Sequence, residues 1–126
     1  MRPTSRPEKP YTNQEIVDRV YQHFFVEKHE RCHDGRYCQY TKVDEKRDGC
    51  AVGCLITNDD ALLLPQADIG LGFRKLAGIY FENRSEMLLA DLQHWHDNDE
   101  MDPGRFSTII EEYGLIHPEK LNESNI

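Results

Sequence analysis

Gly49-Cys50-Ala51-Val52-Gly53-Cys54-Leu55-Ile56 carries no charge, in a chain that is 30% charged. Such a run reads as the centre of a core. Asp48 or Gly49 stands where it could cap a helix beginning at Cys50. On that helix Cys50 and Cys54 lie four residues apart and share one face. What that face meets decides both the fold and any chemistry of the thiols.

Working outward, Asp44-Glu45-Lys46-Arg47-Asp48 is a solvated turn ahead of the central segment. Before it, Arg36-Tyr37-Cys38-Gln39-Tyr40-Thr41 has the Tyr and Thr content of a short strand, with Tyr37 and Gln39 on one face and Cys38 and Tyr40 on the other. After the segment, Thr57-Asn58-Asp59-Asp60 stops one helix and caps another over Ala61-Leu62-Leu63-Leu64, which Pro65 ends. Farther out, Thr12 and Glu15 form a capping box ahead of Ile16, Val17, Val20, Tyr21, Phe24 and Phe25, predicting a helix over about 13 to 28. Ser85 and Glu86 open a helix carrying Met87, Leu88, Leu89, Leu92, Trp95 and His96 along or beside one stripe. Asp102-Pro103 opens another, with Phe106, Ile109, Ile110 and Tyr113, closed by Gly114. Residues 66 to 84, punctuated by Gly70, Gly72 and Gly78, carry no clear period. The pattern predicts an α+β fold: a small, mostly helical single domain with a short strand pair or hairpin before a buried central helix. The domain spans 12 to 116, with a flexible lead-in at 1 to 11 holding Pro3, Pro7 and Pro10, and a polar tail at 117 to 126.

At 126 residues and 14.8 kDa the chain suits one core. Its net charge of −8 argues against a direct nucleic-acid or anionic-membrane binder, since both need clustered Lys and Arg. The charge is uneven. Residues 1–56 hold ten basic and nine acidic side chains, and residues 57–126 hold five and fourteen, so the halves stand at +1 and −9. No apolar run is long enough for a membrane span, and the N-terminus lacks a signal-peptide core, so a cytosolic location is expected. There the four cysteines would be reduced, leaving packing, metal or chemistry as their uses.

Cys38-x-Tyr40, Cys50-Ala51-Val52-Gly53-Cys54-Leu55-Ile56 and Leu92-Gln93-His94-Trp95-His96-Asp97, after a helix capped by Thr12, resemble a group of small uncharacterised bacteriophage and prophage proteins. In that group the order runs C-x-Y, C-A-[VI]-G-C-L-I, L-Q-x-x-H-D. The resemblance covers roughly residues 12 to 116; Cys32, the longer turn before Cys50 and the proline-rich start depart from it. It implies a phage-borne accessory protein in a bacterial cytosol, without naming an activity.

Three readings fit Cys38, Cys50, Cys54 and His96. Reduced cysteines can simply fill the core, which the apolar surroundings favour. They can hold structural zinc, with Cys50 and Cys54 from the helix, Cys38 from the strand and His96 or Cys32 as the fourth ligand, although no tight C-x2-C pair is present. Or Cys50, at a helix N-terminus, can be the nucleophile of a hydrolase or transferase with His96 as base and Asp97 as orienter. Neighbours on one helix point about 100° apart, which speaks against that last pair. Asp97, Asp99, Glu100 and Asp102 offer a carboxylate face for a protein partner with a basic surface. With no well-spaced catalytic set, binding or inhibition of a host or defence factor is expected ahead of catalysis.

Overall fold

The computed structural model describes residues 2–32, 39–64 and 76–119. Helix α1 (Asn13–Tyr21) starts where its capping box predicts, with the Glu15 amide donating to Thr12 Oγ1 (3.1 Å) and the Thr12 amide to Glu15 Oε1 (3.0 Å). It continues as a π-helical turn (Gln22–Val26), in which the Glu27 amide reaches back to the Gln22 carbonyl, until Lys28 breaks the chain at φ 59°. A short α2 (Asn58–Leu62) is capped by Thr57. A 3-10 turn at Asn83–Ser85 leads into α3 (Glu86–Asn98), and α4 (Pro103–Glu112) begins at an Asp102 cap with proline in its first turn.

These helices bury one face each. Ile16, Val17 and Val20 from α1, Leu88, Leu89, Leu92 and Trp95 from α3, and Phe106, Ile109 and Ile110 from α4 are all at most 1% exposed. Trp95 packs 5.0 Å from the Phe106 ring and 5.9 Å from both Phe24 and Phe25 (centroid distances), tilted or edge-on as the ring quadrupoles prefer. Its indole N–H donates to the Asp102 carbonyl (2.8 Å), so the α3–α4 turn is fixed by the same side chain that fills the core.

The α+β expectation is overturned. Among the described residues there is no strand and no sheet, only isolated bridges: Lys42 with Asp48, Tyr11 with Phe81, and Ala77 with Phe81. Arg36 to Cys38 of the expected strand lie outside the described residues, and Gln39 to Thr41 are irregular. The physical reason is competition for the backbone. Asp44 captures the amides of Lys46 (3.0 Å) and Arg47 (2.8 Å), closing a local turn where a hairpin would continue its ladder. The Tyr40 carbonyl is taken by the guanidinium of Arg2, which also donates to the Ile56 carbonyl (2.9 Å) and pairs with Asp48 (3.2 Å). Arg2 is thereby buried, although residues 2 to 10 form no helix or strand.

The central segment is buried as expected, but it is not a full helix. A single turn from Cys50 (Cys54 amide to Cys50 carbonyl, 2.9 Å) tightens into a 3-10 turn at Gly53–Leu55 and then extends at Ile56. Neither Asp48 nor Gly49 caps it: Gly49 sits at φ 91°, and the Cys50 amide donates to the Gln39 carbonyl. Tyr40 lies so close to Gly53 that a Cβ there would stand 2.3 Å from the Tyr40 carbonyl oxygen and 2.7 Å from its Cα. Both contacts are with backbone, so neither side can swing away.

Two predictions follow from this packing. Gly53→Ala should destabilise the protein by about 3 kcal/mol, the upper end of overpacking costs, read as a fall in urea midpoint with unchanged slope. The second concerns Asp60, which receives a two-pronged hydrogen bond from Arg6 (3.0 and 2.9 Å) and the hydroxyl proton of Tyr80. The Arg6 bond, chiefly, holds this carboxyl down at about 2. A depressed carboxyl stabilises the fold above its unfolded value of about 3.9 and loses that contribution as pH falls towards the folded value. Asp60→Asn should therefore lower the melting temperature at pH 7 and flatten its decline between about pH 4 and pH 2.

Candidate functional site

His96 sits in a buried polar spine that ties α3 to the Cys32 backbone and to the central segment. Gln93 and His96 are fully buried on the inner face of α3. The Val52 amide donates to Gln93 Oε1 (3.1 Å), Gln93 Nε2 donates to Asp97 Oδ1 (3.0 Å), and His96 Nδ1 lies 2.7 Å from the same oxygen. At the far side of the ring, His96 Nε2 accepts from the Cys32 amide (3.0 Å). An acceptor at Nε2 assigns the proton to Nδ1, which donates it to Asp97. His96 and Asp97 do pair, contrary to the expectation from helix geometry. One carboxylate oxygen of Asp97 reaches both His96 beside it and Gln93 one turn earlier.

This geometry commits His96 to structure. Both ring nitrogens are engaged, one with an amide and one with a carboxylate, so neither is directed at Cys50. The cysteines are committed too. Cys32 Sγ accepts from the Gly49 amide (3.2 Å) and donates to the Thr41 carbonyl (3.4 Å). Cys54 donates to the Ala51 carbonyl (3.4 Å), and Cys50 accepts from the Gly53 amide (3.4 Å). All three are free thiols with almost no surface. Burial pushes the Cys32 thiol up to about 11 and Cys54 higher still, the opposite of the shift that activates a nucleophile. Cys38, the remaining ligand of the expected zinc shell, lies outside the described residues.

The four carboxylates at the α3–α4 corner divide by role. Asp97 faces inward to Gln93 and His96. Asp102 is exposed but caps α4, its Oδ2 accepting from the Arg105 amide (2.8 Å). Asp99 is half-buried, 3.7 Å from Arg105. Glu100 is exposed on a left-handed residue (φ 53°) that tops the turn.

A second histidine constellation is not legible in the sequence read alone. The π-helical turn places His23 in the interior, 2% exposed, and the reversal at Lys28 folds His29 back over it, with rings stacked at 4.1 Å and 16°. His29 Nε2 stands 3.4 Å from Glu27 Oε1. Neither ring nitrogen of His23 has a hydrogen-bond partner. Burial first, then the neighbouring His29, lowers this imidazole to about 4, so it is neutral at pH 7. A buried donor or acceptor left unmet costs about 1–3 kcal/mol, more than the about 0.5–1.5 kcal/mol that a ring stack returns. His23 is thus the buried polar group whose placement the packing alone does not explain. The signal in the sequence was the spacing His23-x3-Glu27-x-His29, which has no meaning until the helix end is seen to turn back.

Compared with family models, curated sequences and solved structures, the chain matches none. No helix among the described residues is long and apolar enough to cross a membrane.

The buried thiols yield a direct test. In folded protein at pH 8, Cys32, Cys50 and Cys54 should resist alkylation, since all three are buried and Cys32, at about 11, is ionised in only roughly one molecule per thousand. Peptide mapping after a timed iodoacetamide pulse reads this. Rapid labelling of Cys50 ahead of the others would restore it as a nucleophile.

Proposed function

We propose that this chain is a small binding protein, a phage-type accessory factor that acts in a bacterial cytosol by docking an acidic surface on a basic host or defence protein. The observation that carries the reading is where chemistry and charge sit. The described thiols and His96 are sealed in the core, whereas Glu100, Asp102, Glu111 and Glu112 are exposed around the α3–α4 corner and along α4. One described cation is interleaved there, Arg105, and it is shared between Asp99 and Glu112 (3.7 and 3.5 Å). A net charge of −8 then favours encounter with basic surfaces through long-range attraction that salt screens.

Because Asp97 and Asp102 hold the fold, the docking energy is assigned to Glu100, with Asp99 and the acids of α4 around it. Neutralising those surface groups tests the reading without disturbing the spine or the helix cap. Asp99→Asn, Glu100→Gln, Glu111→Gln and Glu112→Gln combined should keep the melting temperature within a few degrees. The same variant should cut the association rate of a partner captured from bacterial lysate by roughly tenfold and flatten its salt dependence. Cys50→Ser should leave capture unchanged. Capture lost in Cys50→Ser and kept in the charge variant would overturn the docking reading in favour of thiol chemistry.

A further inference from the structure

We propose that His23, Glu27 and His29 form a binding site for one divalent transition-metal ion, with zinc the ion that suits the ligand set. Among the described residues these three are the group of metal-ligating side chains that converges, each offering an atom within 4.8 Å of the other two. Two imidazoles and a carboxylate are a recognised shell for zinc, and also for iron(II), with a further position left for water.

The distances support closure on a metal. Tetrahedral bonds of about 2.0–2.1 Å set neighbouring ligand atoms roughly 3.3–3.4 Å apart. His29 Nε2 and Glu27 Oε1 already stand at 3.4 Å. His23 brings a nitrogen within 4.8 Å of both, and a tilt of its ring, which no hydrogen bond holds, would close the remaining gap. Its lone pair is available, since the imidazole is neutral and unpartnered, whereas His96, the histidine singled out by sequence, has both nitrogens taken.

Access and charge fit as well. His23 is shut in by Phe24, edge-on at 4.7 Å, and by the His29 ring, while the side chains of His29 and Glu27 are 19% and 25% exposed, so solvent reaches that side of the cluster. Asp48 is a further carboxylate whose field reaches His23, but it is paired with Arg2 and does not ligate. The π-helical turn supplies the geometry. The turn spans Gln22–Val26, holding His23 and leading directly into Glu27, and π turns recur at functional sites. This inference stands apart from the docking surface, and either can fail alone.

The test uses full-length protein freed of metal with a chelator, titrated with zinc chloride in a calorimeter and with cobalt(II) in a spectrophotometer. Binding of one zinc per chain is expected, with a rise in melting temperature that chelator reverses. The cobalt form should show d–d absorption without a sulfur-to-cobalt charge-transfer band, because no thiolate takes part. Glu27→Gln and His29→Ala, both at partly exposed positions, should keep the metal-free melting temperature and weaken zinc binding by more than about a hundredfold, beyond what loss of an outer-shell partner costs. No zinc uptake, uptake undiminished in both variants, or a thiolate charge-transfer band would each overturn the site.

Discussion

The hydrogen-bond chain from the Val52 amide through Gln93, Asp97 and His96 to the Cys32 amide is the constraint on which the rest of the molecule hangs. Three irregular pieces of backbone meet in this core: the approach to Cys32, the stretch around Tyr40 and the Cys50–Ile56 segment. Irregular backbone leaves amides and carbonyls that no helix or sheet satisfies, and in an apolar interior each unmet group costs about 1–3 kcal/mol. Helix α3 meets that demand from one face, by placing Gln93 and His96 three residues apart and Asp97 beside them to complete both. A helix face that elsewhere would be wholly apolar carries two polar side chains because the neighbouring loops require it.

The same accounting explains Arg2. Its guanidinium donates to the carbonyls of Tyr40 and Ile56 and pairs with Asp48, so one side chain closes both flanks of the central segment. A bare charge in that position would be very costly, but a planar fork with an acceptor at each edge is the arrangement in which arginine tolerates burial. Arg6, largely exposed, instead pairs side chain to side chain with Asp60 just beyond the segment, and Tyr80 donates to the same carboxylate. Side-chain donors thus do here what strand partners would do in a sheet. The central residues can then pack backbone against backbone, as Gly53 and Tyr40 do.

What could be read from the sequence follows from the range of the forces involved. The capping box of Thr12, the Asp102-Pro103 start and the left-handed Gly114 are local signals, decided within four residues, and the helices begin and end on them. The charge-free run was legible as core for the same reason, since burial follows composition. The strand was not legible, because Tyr40 looks like a β residue until a guanidinium from thirty-eight positions away takes its carbonyl. His96 was read as a ligand because its two engaged nitrogens are matched to groups that sequence does not place nearby. Asp97 and Asp102 were grouped with Glu100 by charge alone, although one faces the core and one caps a helix.

His23 and His96 make the opposite case about buried imidazoles. Both lie close to Phe24 and both are almost wholly enclosed, so their apolar surroundings are alike. They differ in what meets their nitrogens. Fixing each ring nitrogen of His96 with a partner leaves none for a ligand, which would have to displace an existing bond. Leaving His23 unpartnered keeps its lone pair available at a cost the fold bears from packing elsewhere, and strain of that kind concentrates where a protein does something. Burial alone therefore does not mark a functional histidine in this molecule. An unmet hydrogen-bonding demand does, and within the described core it falls on the ring that the π-helical turn has carried inward, beside the carboxylate and second imidazole that could answer it.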